Sequence, residues 1–172
     1  NCIFTGTGFT TNSPNGHAIL AEDNVESVVF DGCTFTDCGD KPGEYAILST
    51  AFDLQFSDST IKYTNPLHSS GGLKCTKWCK LTVTGSLFKN IYANNTKEGG
   101  GICYNPDMNG AVLRCDVTLT GTTFDNMMSK NGRAAFFKLG KYPSISNCTF
   151  KNMPNGNYIL TIGHEIKETG LI

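Results

Sequence analysis

The first group of side chains in this sequence that could take part in catalysis is a small set of scattered carboxylates. Two carboxylates on neighbouring strands could act as general acid and general base, the pair that hydrolysis of a glycosidic bond requires. Asp53, Lys80 and Asp116 take the same outward position in successive copies of a sequence repeat, so a lysine separates the two acids. The sequence contains no Asp-Asp dipeptide, no Gly-His-Gly and no Arg-x-Lys. A solvated surface explains these acids better than a catalytic centre, and we predict no catalytic residue.

Cysteine is the second group with possible chemistry. The eight cysteines favour an oxidising compartment, although buried thiols are a real alternative. Cys75 and Cys103 are predicted to take the same place in neighbouring repeats, as are Cys79 and Cys115, and all four are predicted to face inward. Disulfides could join turns (Cys75–Cys103, Cys79–Cys115) or stay within a turn (Cys75–Cys79, Cys103–Cys115). Because the four residues are core-facing, a zinc site is less favoured, and we predict no metal and no cofactor.

Two sequons could accept N-linked glycans if the chain is secreted. They begin at Asn94 (Asn94-Asn95-Thr96) and at Asn147 (Asn147-Cys148-Thr149). Both lie in an Asn- and Thr-rich chain, where sequons also arise by chance. We treat the two asparagines as candidates for glycosylation.

All these residues are positioned by a repeated motif of ten residues, which is clearest at Leu81–Asn90. Further copies span 28–37, 54–63, 117–126 and 143–152, and the tail of another opens the chain at 1–4. The first four positions alternate between apolar and polar, which indicates a strand with one buried face. The fifth and tenth positions carry Gly, Asn or Asp in nearly every copy, and these residues favour bends. Each copy therefore predicts two short strands separated by a bend.

The eighth position of the motif predicts a ladder of large apolar side chains in the core. Its members are Phe35, Ile61, Phe88, Phe124 and Phe150. Copies recur at irregular intervals of about 30 residues, within the range of 20–50 residues that is typical of solenoids and propellers. Irregular spacing around a constant motif indicates constant strands joined by loops of variable length. One such loop is the insertion at 104–110.

A third strand precedes each copy and begins after a glycine, as at Gly71-Gly72-Leu73 and Gly100-Gly101-Ile102. We therefore predict an all-β fold, a right-handed parallel β-helix with three short strands in each turn. It should contain about five full turns and a partial turn at both ends. The predicted solenoid spans 1–162, and residues 163–172 form a tail or the start of a further turn.

The charge balance excludes several classes of partner. The chain of 172 residues carries 14 basic and 15 acidic side chains, for a net charge of −1. A near-zero charge does not favour nucleic acid or an anionic membrane surface. No apolar run approaches the roughly 18 residues of a membrane-spanning helix. We predict no nucleic-acid partner and no insertion into a membrane.

The chain resembles two groups of proteins on these motifs. The stacked three-strand repeat resembles the pectate-lyase-like family of right-handed parallel β-helices over nearly the whole length. The Gly-Gly-apolar elements at 71–73 and 100–102, with the Phe-to-Asn elements at 88–90, 124–126 and 150–152, are similar to repeats of polymorphic outer-membrane-protein-type surface adhesins. The first resemblance implies a polysaccharide lyase or glycoside hydrolase, and the second implies a surface adhesin.

We expect a non-catalytic β-helix segment, extracellular or on the cell surface, with an adhesive or a structural, fibre-forming role. A polysaccharide lyase or hydrolase of the same fold is the alternative. Ice binding through Thr82/Thr84 and Thr118/Thr120 is a minor one. The chain opens inside a motif, so we expect a piece of something longer. The expected partners are further copies joined head to tail, adjoining parts of a longer chain, and glycans.

Overall fold

The computed structural model describes residues 1–5, 19–21, 25–39, 45–64, 71–77, 79–93, 100–106, 116–129, 134–138, 143–153 and 160–163. These residues form strands β1 to β17 and contain no helix. All paired strands are parallel, and they form two sheets of six strands and one of five. The prediction of an all-β parallel solenoid with three strands per turn is confirmed.

The chain passes through the three sheets in rotation. The first sheet is ordered β1-β4-β7-β10-β13-β16 and consists of Ile3–Thr5, Thr34–Thr36, Thr60–Lys62, Leu87–Ala93, Thr123–Ser129 and Thr149–Lys151. The second is ordered β2-β5-β8-β11-β14-β17 and consists of Ile19–Ala21, Tyr45–Ser49, Gly71–Cys75, Ile102–Tyr104, Ala135–Lys138 and Leu160–Gly163. The third is ordered β3-β6-β9-β12-β15 and consists of Ser27–Asp31, Asp53–Ser57, Lys80–Thr84, Val117–Thr120 and Ser144–Ser146.

The number of turns is smaller than the sequence predicts. Counting each copy of the motif as one turn predicts five, but a turn closes only where its strands stack on those of the next turn in every sheet. The third sheet contains five strands, and the chain makes one full turn between each strand and the next. The solenoid therefore has about four turns. The last strand, β17, includes Gly163, which the sequence assigned to a tail or to the start of a further turn. Residues 164–172 lie outside the described part of the chain.

The bends form where the motif places residues that tolerate left-handed backbone angles. The fifth motif position has φ between 46° and 60° in Gly32, Asp58, Gly85, Gly121 and Asn147. The tenth has φ between 53° and 59° in Asp37, Asn90, Asn126 and Asn152. Gly, Asn and Asp adopt this conformation at low cost, so the chain bends at fixed points. The fifth position lies where the chain passes from the third sheet into the first, and the tenth lies just after a first-sheet strand or, at Asn90 and Asn126, within one.

The small residue at the sixth position satisfies its own polar group inside the first bend. The hydroxyls of Ser59 and Ser86 donate to the carbonyl oxygens of Ser57 and Thr84 at 2.7 and 2.9 Å. Thr122 repeats the same bond at 3.2 Å. A buried hydroxyl is costly unless it is paired, and these bonds make it acceptable in the three copies that carry Ser or Thr.

The core contains the eighth-position ladder. Phe35, Ile61, Phe88, Phe124 and Phe150 are in register on neighbouring strands of the first sheet. The first four are fully buried and Phe150 is half-buried. Inward residues of the other sheets, such as Leu54, Leu73 and Val83, pack against them. Each such side chain gains roughly 1.5–3 kcal/mol by burial, so the ladder is a major source of stability.

Among the residues that the structure describes, we find no helix with the length and apolar character needed to cross a membrane.

The predicted insertion at 104–110 begins inside the solenoid. Tyr104 is the last residue of β11, and Pro106, two residues further on, is buried. Residues 107–110 of that insertion lie outside the described part.

Candidate functional surface

The outside of the third sheet presents two regular rows of side chains, which we call the outer rows. Alternation along each strand directs every second residue outward, and the parallel register aligns the strands. One row consists of Val29, Gln55, Thr82, Thr118 and Ser144, and the other of Asp31, Ser57, Thr84, Thr120 and Ser146. Neighbouring members of a row are separated by one strand spacing, about 4.8 Å.

Hydroxyl groups in the outer rows bond to their neighbours along the solenoid. Ser57 Oγ donates to Asp31 Oδ1 at 2.9 Å, and the hydroxyls of Thr120 and Ser146 lie 3.3 Å apart. Because each hydroxyl can also donate or accept a further bond, the rows offer polar groups at regular intervals to any molecule lying along them.

Beside the outer rows, at the start of the same strands, lies an acidic group with an unused oxygen. Asp53 Oδ2 accepts a 3.1 Å bond from the amide of Gln55. Asp53 Oδ1 is buried and finds no hydrogen-bond partner among the described residues. The preceding residue, Phe52, is 62% exposed. The exposed Phe52 ring is able to contact the apolar face of a sugar, whereas the buried oxygen of Asp53 is not presented to a ligand.

The carboxylates near Asp53 are not paired with one another. Asp53 is in register with Lys80, and the amide of Leu81 donates to the carbonyl oxygen of Asp116 at 2.9 Å, which places Asp116 on the far side of Lys80. Asp31 is in register with Ser57. Across the strand pairs that the structure describes, no two carboxylates are in register on adjacent strands.

The outside of the first sheet holds a charged row that the sequence reasoning missed. Lys62, Lys89, Asp125 and Lys151 are in register on successive strands. The Asp125 carboxylate lies 3.8 and 3.7 Å from the ammonium groups of Lys89 and Lys151, and it accepts a 2.7 Å bond from the amide of Asn152. All four charged residues occupy the ninth motif position, a signal that could have predicted the row.

The tenth-position asparagines serve the fold. Asn126 Nδ2 donates to Asn90 Oδ1 at 3.0 Å and to the Tyr92 hydroxyl at 2.7 Å. Asn90 Nδ2 donates to the carbonyl oxygen of Tyr63 at 3.3 Å. These bonds join neighbouring turns at the second bend, so the asparagines act as cross-turn ties.

The predicted alignment of the cysteines is wrong in one respect. Cys75 is in register with Tyr104, and Cys103 is in register with Lys74. The three consecutive glycines at 99–101 allow two alignments of this repeat with the one before it. In the structure, the backbone N–H of Gly72 donates to the carbonyl oxygen of Gly100, and that of Leu73 donates to the carbonyl oxygen of Gly101. Cys103 is buried, but its strand position belongs to the outer face. Cys115 lies outside the described residues, so pairings that involve it stay predictions.

Cys75 and Cys79 do come together, at the corner between the second and third sheets. Both are buried in the apolar core. Hydrogen bonding with the Cys79 thiol and complete burial raise the pKa of Cys75 well above its ordinary value. The thiol of Cys75 is therefore protonated and unreactive in the folded protein.

One of the two sequons is on the described surface. Asn147 is exposed at a first bend with a φ of 53°, and Thr149, which completes its sequon, is exposed as well. Asn94 lies outside the described residues.

Across the described part of the chain, no group of three or more His, Cys, Asp or Glu residues could hold a metal ion.

Comparisons of this chain with protein-family models, with curated proteins and with solved structures give no match.

Proposed function

We propose that this protein is a non-catalytic β-solenoid of the extracellular space or the cell surface, related to the pectate-lyase-like right-handed β-helices, with an adhesive or structural role. The observation that supports an adhesive role is the pair of outer rows. Apart from Val29 at one end, these rows repeat polar groups at a fixed spacing along the third sheet. A surface of this kind suits contact with an extended polar ligand, and we propose glycans as its class.

The rigidity of the outer rows favours binding of such a ligand. Their side chains stand on strands that are paired on both sides over the middle of the sheet, and neighbouring hydroxyls already bond to one another. A preorganised surface loses little conformational entropy when it binds. Phe52, directly before β6, adds an exposed aromatic face.

The arrangement of the acids gives less support to the lyase or hydrolase alternative. Hydrolysis needs two carboxylates placed across one bond. In the described strand pairs, each acid faces a lysine or a serine on the adjacent strand: Asp53 faces Lys80 and Ser27, Asp31 faces Ser57, and Asp125 faces two lysines. These pairs favour solvated or ion-paired acids.

The test is a binding and turnover assay on pectin, alginate and neutral polysaccharides. We expect binding without turnover. Replacing Thr84 and Thr120 together by Val removes two hydroxyls and should weaken binding roughly tenfold, since each neutral hydrogen bond contributes about 0.5–1.5 kcal/mol. Thr123→Val is the matched control, because Thr123 has similar exposure to Thr120 but lies on the first sheet. Turnover abolished by Asp53→Asn or Asp116→Asn would establish the enzyme alternative.

A structural role would act by head-to-tail association of copies. The observation that favours it is the apolar surface of β1, where Ile3 is 80% exposed beside Phe4, whose ring stacks on Phe35 at 4.6 Å. Light scattering of the purified chain should then show mass rising with concentration, and Ile3→Lys should suppress the rise. A monomer at every concentration would remove this candidate.

Ice binding has one observation in its favour. Thr82 and Thr118 are in register, as are Thr84 and Thr120, so four threonines form a small regular array on two strands. The next strands carry Gln55 and Ser57 on one side and Ser144 and Ser146 on the other. Inhibition of ice recrystallisation that Thr84→Val abolishes would favour this role over the binding of glycans.

A further inference from the structure

Cys75 and Cys79 stand on either side of one corner of the solenoid. Cys75 is the last residue of β8, and Cys79 directly precedes β9. Cys75 is fully buried and Cys79 is 3% exposed, and both belong to the apolar core. Two buried cysteines thus lie on either side of one short corner.

Tyr104 of the next turn fixes both cysteines. Its strand position is in register with Cys75. Its hydroxyl donates to the carbonyl oxygen of Cys79 at 2.8 Å and lies 3.2 Å from the amide nitrogen of Cys79, which donates to it. The corner is therefore held on the Cys75 side by strand pairing and on the Cys79 side by two hydrogen bonds, so the backbone at both cysteines is fixed.

We propose that Cys75 and Cys79 form an intramolecular disulfide when the protein folds in an oxidising environment. The pairing between turns that competes with it, Cys75–Cys103, is disfavoured because Cys103 is in register with Lys74. Lys74 is flanked on its strand by the buried Leu73 and Cys75, so the position of Cys103 belongs to the opposite face of the sheet.

The oxidant is a small-molecule disulfide such as oxidised glutathione. The Cys79 thiolate attacks one of its sulfurs, forming a mixed disulfide and releasing one glutathione thiolate. The Cys75 thiolate then attacks the Cys79 sulfur, and the second glutathione leaves. The two cysteines lose two protons and two electrons, and one oxidised glutathione becomes two reduced molecules. Because the folded corner keeps Cys75 buried and protonated, the bond forms before the corner is packed.

Tryptic peptide mapping tests this pairing directly. Lys74, Lys77 and Lys80 flank the two cysteines, so trypsin separates Cys75-Thr76-Lys77 from Trp78-Cys79-Lys80 unless a disulfide joins them. The protein is refolded with reduced and oxidised glutathione, its remaining thiols are alkylated at low pH, and the digest is analysed by mass spectrometry without reductant.

We expect the two tripeptides to run as one species, two hydrogens lighter than their sum, that reductant splits. Cys103→Ser should keep this species and Cys79→Ser should lose it. Alkylated Cys75 and Cys79 in the refolded wild-type protein would overturn the proposal. So would a peptide that links Cys75 to any other cysteine. The result is read on the wild-type chain, so it stands even if a variant fails to fold.

Discussion

The rings of Phe88 and Phe124 lie parallel on neighbouring turns, with their centroids 5.1 Å apart and an interplanar angle of 8°. Both side chains are fully buried. Phe124 in turn stacks on Phe150 at 5.0 Å, so removal of one ring leaves a gap that its neighbours cannot fill without leaving their strands.

Phe88→Ala should therefore lower the free energy of unfolding by roughly 3–5 kcal/mol, the cost of a large cavity in a packed core. Urea or guanidinium denaturation measures this loss. The control is Phe52→Ala, which truncates an aromatic ring that is 62% exposed and should change stability by about 0.5 kcal/mol or less. A loss under about 1 kcal/mol for Phe88→Ala would contradict the packing described above.

The side chain of Asp125 should contribute more to the free energy of unfolding than either of the lysines around it. Its side chain is 10% exposed, whereas those of Lys89 and Lys151 are 46% and 53% exposed. Asp125→Ala leaves the amide of Asn152 without its acceptor and two lysines without a counter-charge, and we expect a loss of about 1–2 kcal/mol. The variant Lys89→Met should cost much less, since exposed ion pairs contribute little.

Asp125→Asn separates the two contributions, because the amide oxygen can still accept a bond from Asn152. Its stability should fall between those of the wild-type protein and Asp125→Ala, and added salt should reduce its difference from wild type. Equal stability of all three proteins in denaturant melts would show that the charged row is an unimportant feature of the surface.

The reduced protein should lose stability in mild alkali through Cys75. Hydrogen bonding with Cys79 and burial raise the pKa of this thiol well above 9.0, its ordinary value. Below that pH both the folded and the unfolded chain carry the proton, so the contribution is fully present. Above it the unfolded chain releases the proton while the folded chain keeps it, and the free energy of unfolding falls as pH rises.

The measurement is the free energy of unfolding between pH 7 and pH 10.5 in the presence of a phosphine reductant. Wild type should lose up to about 1.4 kcal/mol per pH unit more than Cys75→Ala across the upper part of this range. Identical pH profiles for the two proteins would contradict a raised pKa at this site.

Asn147 should carry a glycan when the chain passes through a eukaryotic secretory route. Its side chain is exposed at a bend, and Thr149 is exposed beside it. We expect enzymatic deglycosylation to lower the mass of the secreted protein and Asn147→Gln to remove part or all of that difference. Asn94→Gln is the matched variant for the other sequon. An unchanged mass in Asn147→Gln would exclude modification at this site.

Much of the fold is encoded in short stretches of sequence. The alternation at Leu81–Thr84 fixes which residues face inward, and Gly85 and Asn90 fix where the chain bends, because their left-handed angles suit few other residues. These signals are local, so each copy of the motif can be recognised by itself. The register of Phe88 with Phe124 follows, since equal offsets from equal bends place both on the same rung.

Contacts between turns were decided by the tertiary structure. Gly100 and Gly101 follow another glycine, so no side chain marks the register there. In the register that the structure shows, a Cβ at Gly72 would lie 2.5 Å from the carbonyl oxygen of Gly101, so this position requires glycine. This register places Cys103 opposite Lys74, while Cys75 and Cys79 lie on either side of one corner. The sequence specifies each strand through its own periodicity. Which polar groups meet, such as Asp125 with its two lysines, depends on strands that loops of unequal length bring side by side.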